Sequence, residues 1–309
     1  MNEYEEFEET YSQQEIDFLS LGKSYYENEK YKDAIDILLD LIKLNPDNSE
    51  GWQYLGMSYS KIKKYEKAIG FLLKAIEYNP EDELNWGWLG YSYYNNKGYQ
   101  AAIESLSKAV KLNPNNDNNW LLLGISYKYN KQYKEAIESL LKAIELNHDN
   151  ENNWYWLGLS YCNNEQYQEA IKSLLKAVEL NPNKECNWYE LGRSYCNNEQ
   201  YKEAIESLLK AVELNSNDEY NWYWLGNSYI GLKDYYSASK SYEKGIEIES
   251  DNFEMLNNYG VALANLNRIE EAKIYFEKAL EIDSNYKLAK DNIDSLDSFD
   301  IDSLIISEE

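Results

Sequence analysis

The chain has 309 residues and carries 30 Lys and Arg against 55 Asp and Glu, a formal net charge of −25. So acidic a chain is repelled by nucleic-acid phosphates and by anionic membrane surfaces, which argues against both as partners. Its 43% hydrophobic and 15% aromatic content excludes a wholly disordered chain. One histidine, His148, and three cysteines leave little for zinc ligation, a disulfide framework or histidine acid–base chemistry, so neither metal nor cofactor is expected.

Residues 1–14, which open MNEYEEFEET, lack the basic and then apolar run of a secretory signal. They are expected to form an acidic tail, and the expected address is the cytoplasm, in keeping with sparse cysteine. No run approaches the eighteen apolar residues of a membrane-spanning helix. From Glu15 the sequence repeats. Gly22, Gly56, Gly90, Gly124, Gly158, Gly192, Gly226 and Gly260 are spaced 34 residues apart. With glycine at position 8, the repeats span 15–48, 49–82, 83–116, 117–150, 151–184, 185–218, 219–252 and 253–286.

Within each repeat, apolar residues at positions 4, 7, 8 and 11 mark one face of a first helix, and positions 17, 20, 24, 27 and 28 mark a second. A short polar turn such as Asn95-Asn96-Lys97-Gly98 separates them. Pro46, Pro80, Pro114 and Pro182 stop the second helix, and Asn, Asp or Ser after them offers the next N-cap. Glycine inside a helix costs about 1 kcal/mol against alanine. Its recurrence predicts close helix crossing, with Ala at position 20 helping. Tyr at positions 11 and 17 and Trp at position 4 (Trp52, Trp86, Trp120, Trp154, Trp188, Trp222) are expected in the core. Hairpins that cannot bury such rings alone must stack on their neighbours. Surface ion pairs Glu104–Lys108, Glu138–Lys142 and Glu206–Lys210 are expected from i,i+4 spacing. Residues 287–298 read as a capping helix, with Ala289, Ile293 and Leu296 on one face. Residues 299–309 read as a tail that holds Phe299, Ile301, Leu304, Ile305 and Ile306 and either frays or folds back into a groove.

The pattern W-x2-L-G-x2-Y followed by Ala, Tyr and Pro at these offsets resembles the tetratricopeptide repeat (TPR) and recurs eight times. The resemblance implies an all-α, right-handed α-solenoid of eight helix-turn-helix units plus a C-terminal cap, with first helices lining a concave groove. It places positions 2, 5, 6, 9, 12 and 13 on that groove. Trp88, Tyr91 and Asn95 then face it, as do Tyr155, Trp156 and Asn163, Tyr189, Arg193 and Asn197, and Tyr223, Trp224 and Asn227. Trp, Tyr and Arg dominate interface hot spots. The implied function is a non-enzymatic protein-protein interaction scaffold that binds a protein or peptide segment, neutral or basic given the chain's negative field. The alternative is a regulatory module that stacks a small molecule or glycan on the same rings.

Two family clamps are expected to be absent. The carboxylate clamp for Hsp70/Hsp90 chaperone C-termini requires Lys, Asn and Asn where this chain has Leu19, Lys23 and Tyr54. The position-6 Asn ladder of nucleocytoplasmic glycosyltransferases is represented by Asn258 alone. Arg193 either pairs with Glu190 or anchors a partner carboxylate. Asn85, Asn119, Asn153, Asn187 and Asn221, at position 3, are expected to cap the start of their own helices. Asn95, Asn163 and Asn197, where first helices end, either cap that end or reach a bound peptide backbone. Cys162, Cys186 and Cys196 are read as unpaired small residues.

Overall fold

A computed structural model describes residues 3–297 and 303–307, with the side chains of 13–296 and 303–307. Among the described residues there are seventeen helices and no strand. They pair as α1 (Glu3–Glu27) with α2 (Tyr31–Leu44), α3 (Ser49–Lys61) with α4 (Tyr65–Tyr78), α5 (Glu83–Asn95) with α6 (Tyr99–Leu112), and α7 (Asp117–Tyr129) with α8 (Tyr133–Leu146). The series continues through α9 (Glu151–Asn163), α10 (Tyr167–Leu180), α11 (Glu185–Asn197), α12 (Tyr201–Leu214), α13 (Glu219–Gly231) and α14 (Tyr235–Ile248). It ends with α15 (Phe253–Asn265), α16 (Ile269–Ile282) and the single helix α17 (Lys287–Asp297). The chain divides into two compact units, residues 1–156 and 157–309, with the boundary inside α9. Within each unit the second helix of a hairpin also packs on the first helix of the next, as α2 on α3, α4 on α5 and α6 on α7 in one and α10 on α11, α12 on α13 and α14 on α15 in the other, the stacking of a helical solenoid.

The glycine period has its cause at the hairpin crossing. A Cβ placed on any of the eight position-8 glycines would approach the residue at position 24 of its own hairpin closer than 3.0 Å. That residue is leucine in six repeats, from Leu38 to Leu208, and Tyr242 and Phe276 in the last two. The position-20 alanines, Ala34 through Ala272, have no exposed surface at all. Small residues on both helices bring the axes together, and the position-24 side chain fills the seam.

Several local expectations are corrected. The polar stretch before residue 15 is helical from Glu3 onward, as part of α1. The periodic rings are mostly half-buried, not core. The solvent-free centre is mostly aliphatic, with Tyr223, Tyr242 and Phe276 as its buried rings, and the periodic rings with a polar handle sit mostly at its rim. The position-4 tryptophans show why: each indole Nε1 donates to the carbonyl of the loop residue six positions earlier. Trp52 bonds Pro46 O at 2.6 Å, Trp154 bonds His148 O at 2.7 Å, and Trp222 bonds Ser216 O at 3.0 Å. The ring bolts the loop between hairpins.

The position-3 asparagines do not cap their own helices. They are buried, and Asn85, Asn153, Asn187 and Asn221 donate back to the end of the preceding helix, while Asn119 Nδ2 donates to Glu83 Oε1 (2.8 Å). Asn153 Nδ2 reaches Ala143 O (3.2 Å) and Asn147 O (3.0 Å), and Asn221 Nδ2 reaches Asn215 O (3.2 Å). The Asn147 and Asn215 carbonyls stand at a helix end, where intrahelical donors run out, whereas Ala143 O already accepts from Asn147 N (2.9 Å). The true N-caps lie three residues earlier, for example Asn48 to Gly51 N and Asn252 to Met255 N. Ion pairs run i,i+3 instead of i,i+4, as in Lys142–Glu145 (2.6 Å) and Lys210–Glu213 (2.8 Å). No described helix is long and apolar enough to cross a membrane.

Candidate functional site

In the second unit, first helices α11, α13, α15 and α17 contact one another in succession. Position 6 of a first helix faces the same side in each. The resulting face carries four buried amides, Asn227 on α13, Asn257 and Asn258 on α15, and Asn292 on α17. They form a chain of hydrogen bonds. Asn292 Nδ2 donates to Asn257 Oδ1 (2.8 Å), and Asn257 Nδ2 to Asn258 Oδ1 (3.1 Å). Asn258 Nδ2 then donates to Asn227 Oδ1 (3.0 Å), which also accepts from Tyr242 OH (2.6 Å). Each amide is thereby oriented by its neighbours, although the buried Asn227 Nδ2 is left without a hydrogen-bond partner among the described residues.

Across this face lie residues 304–307. Asn292 takes Ile305 at both ends of its backbone, accepting from its N–H (2.7 Å) and donating to its C=O (2.8 Å). Asn258 does the same for Ser307, at 2.7 and 2.9 Å. Tyr223 OH adds a donor to Ser307 O (3.0 Å), and Asn257 Nδ2 one to Ile305 O (3.2 Å). Burial pushes the Tyr223 phenol up to about 12, so it stays a donor at neutral pH. Leu304 and Ile306 pack on the apolar cluster of this unit, Ile305 is exposed and Ser307 is buried. The segment runs from α17 toward α13. Its bonded residues are two apart, a span of about 7 Å in extended chain, comparable to the spacing of about 8–10 Å between packed helices.

The Asn ladder expected to be absent is therefore present in two rungs. Asn292 stands 34 residues after Asn258 because α17 continues the repeat period. Of the residues the sequence reading missed, Asn292 is legible through that continued period, while Asn257 and Tyr242 lie inside the counted repeats with no signal that marks them. Of the residues singled out from sequence, Tyr223, Trp224 and Asn227 come together on this face. Trp224 is 7% exposed and stands edge-on to Tyr223, with ring centroids 5.7 Å apart. It lines a cavity of about 140 Å³ together with Asn197, Asn227, Ile230 and Ile306. On α11, Arg193 pairs with Glu190 at 3.1 Å. Burial raises the Tyr189 phenol to about 12. Asn163 is exposed at the end of α9.

The first unit arranges its residues differently. Trp88 and Tyr91 of α5 meet edge-on at 5.4 Å and line a cavity of about 270 Å³ with Leu84, Asn119 and Leu122. Lys61 Nζ, from the preceding first helix, lies 5.4 Å from the Trp88 ring centre. Trp156 is treated alike: Lys128 Nζ stands 5.5 Å from it, beside Tyr129 and Tyr155. Asn95 donates to Tyr91 O (2.8 Å) and so caps its own helix. Cys162, Cys186 and Cys196 are not joined in disulfides, and Cys162 Sγ lies 2.9 Å from Ser194 Oγ.

Known repeat families match most of the chain. Residues 18–48, 37–70, 220–252 and 253–286 match tetratricopeptide repeat models, and 192–233 match a TPR repeat model. Residues 71–143 and 141–211 match the model described as anaphase-promoting complex, cyclosome, subunit 3. The chain belongs to the tetratricopeptide repeat family. Among TPR structures, the C-terminal part of a TPR repeat-containing protein from Cytophaga hutchinsonii aligns at TM-score 0.64 and 21% identity, over 78% of this chain and 98% of that one. The APC/C hetero-tetramer Cut9–Hcn1 aligns at TM-score 0.58 and 18% identity, over 89% of this chain and 54% of that one. This chain thus spans about half the length of that relative. YrrB, a TPR protein with an unusual peptide-binding site, aligns at TM-score 0.53 and 25% identity, over 60% of this chain and 95% of that one. Among curated proteins none matches the chain.

Proposed function

We propose that this TPR protein is a non-enzymatic interaction scaffold that holds an extended protein segment on the face formed by its first helices, in a reducing, cytoplasmic setting. One observation carries the reading: Asn258 and Asn292 each grip both backbone groups of one residue of an extended segment. Such a grip recognises backbone conformation. Side-chain preference comes from what flanks it, the rings of Tyr223 and Trp224 and the aliphatic cluster around them. The peptide-binding site of YrrB, a protein of similar fold, supports the reading. His148 sits in a loop and lies 3.1 Å from Asp149, a surface pair and not a catalytic one. The net charge of −25 favours a neutral or basic partner over an acidic one.

The test is a selection of peptides from a random nine-residue library on the full chain. Binders are expected to lose at least tenfold in affinity on Asn258→Ala with Asn292→Ala and to be unaffected by Asn95→Ala. Binders indifferent to the double substitution would sink the reading.

A further inference from the structure

Resting on that reading, the structure says more about the ligand. The segment on the second unit's amides is the chain's own C-terminal stretch, Leu304–Ser307. It makes six hydrogen bonds to Tyr223, Asn257, Asn258 and Asn292, all through its backbone. Its side chains contribute an alternation: Leu304 and Ile306 pack on the apolar cluster, Ile305 is exposed, and the small Ser307 is buried.

The electrostatics of this occupant are poor. Its sequence neighbours are Asp302 on one side and Glu308 and Glu309 on the other. The surface on which it lies is acidic too. Glu254 and Asp283 line the cavity beside Ile305–Ser307, and Glu199 lines the cavity beside Ile306. The described segment is itself uncharged, borders acidic groups and belongs to a chain of net charge −25, so its occupancy draws nothing from charge attraction. What keeps it there is tethering: α17 ends at Asp297, a few residues before, and a short tether gives an effective concentration on the order of millimolar.

We propose that residues 304–307 are a built-in pseudo-ligand of the α13–α15–α17 face. The partner is an extended segment of pattern apolar–any–apolar–small with basic flanks, which displaces them. It enters with the same polarity, running from α17 toward α13, and makes the same bonds to Asn292 and Asn258. Basic flanks gain attraction from Glu199, Glu254 and Asp283, which the uncharged described segment does not use. The tail thus sets a threshold that excludes weak ligands.

The experiment uses the full chain, as wild type and as Leu304→Glu with Ile306→Glu, which removes the apolar anchors of the tail without touching the groove. The probe is a labelled peptide, KKSLIISKK, titrated by fluorescence anisotropy, with DDSLIISEE as its acidic counterpart. The basic peptide is expected to bind the released variant at least tenfold more tightly than wild type. It should exceed the acidic peptide by a factor that shrinks as salt is raised. Adding Asn258→Ala and Asn292→Ala should remove the binding. In parallel, hydrogen exchange is read at the Ile305 and Ser307 amides, which are expected to be protected in wild type and unprotected in the released variant. Free exchange at both amides in wild type would overturn the pseudo-ligand while leaving the groove reading to stand on peptide binding. Protected amides with no peptide binding to the released variant would overturn displacement and the groove reading together. Equal affinity of the basic peptide for wild type and released variant would overturn the occlusion alone.

Discussion

The first helices of the two units expose opposite solutions to the same repeat position. At position 6 the first unit has Trp88, half-buried, edge-on to Tyr91 and covered by Lys61 from the preceding helix. At the same position the second unit has Glu190 and Trp224 on its earlier first helices but Asn258 and Asn292 on its last two, fully buried, linked through Asn257 and bonded to a passing backbone. A ring offers area and a face for cations, with little directional demand. An amide offers one donor side and one acceptor side, so it binds only where both are met. The lesson is that a shared scaffold leaves position 6 free to specify either a greasy contact or an oriented backbone clamp.

The sharpest way to break that contrast is tryptophan truncation. Trp224→Ala empties a site that is 7% exposed and is expected to cost about 3–5 kcal/mol in urea unfolding. Trp88→Ala, half-buried and held by a cation–π contact, should cost much less, on the order of 1 kcal/mol. Equal costs would show that the two rings do the same structural job. It follows that Trp224 is a poor probe of binding, since its loss disturbs the fold.

Glycine substitution gives the next largest effect. In Gly226→Ala the new methyl meets the ring of Tyr242, whose hydroxyl is bonded to Asn227. Overpacking there is expected to cost about 1–3 kcal/mol and to speed exchange at the Ser307 amide. Gly90→Ala meets the end of Leu106, which carries no such bond, and should cost less and leave Ser307 alone. Identical exchange at Ser307 in both variants would disconnect Tyr242 from the amide network.

Asn258→Ala removes two bonds to Ser307, one to Asn227 and one from Asn257. Groups left unmet in a buried network cost about 1–3 kcal/mol each where water does not replace them. The loss is expected in the lower half of that range, because the groove face admits water once the tail leaves. Asn95→Ala, which removes one bond within a half-buried helix end, should stay near 0.5–1 kcal/mol. The smallest effect is chemical. Burial pushes the Cys162 thiol up, so less of it is thiolate at neutral pH, and the difference narrows as pH rises toward its raised pKa. Alkylation of native protein should reach Cys196 and Cys186 well before Cys162, and a Cys162 that reacts first would contradict its burial.

How much was legible follows from the physics of each signal. The repeat, the helix pairs and the crossing glycines were readable because they obey a 34-residue clock, and sterics at one crossing recur eight times. Tyr223, Trp224 and Asn227 were readable as groove residues through the family's positions, and they do converge. The ladder was misread because Asn292 lies in a segment taken as a cap, outside the counted repeats. The position-3 asparagines were misread because a local cap and a bond to the preceding helix look alike in sequence; only packing chooses between them. Phe299 and Ile301 of the apolar tail lie outside the described residues.

The sequence by itself determined the hairpin, its period, its close crossing and its acidic surface, because those follow from local spacing and charge count. Only the tertiary structure decided that four asparagines from three helices share one hydrogen-bond chain, and that a stretch some fifty residues further along the chain closes it. Hydrogen bonds between distant residues depend on orientation to within tenths of an ångström, and no periodicity in a one-dimensional string carries that information.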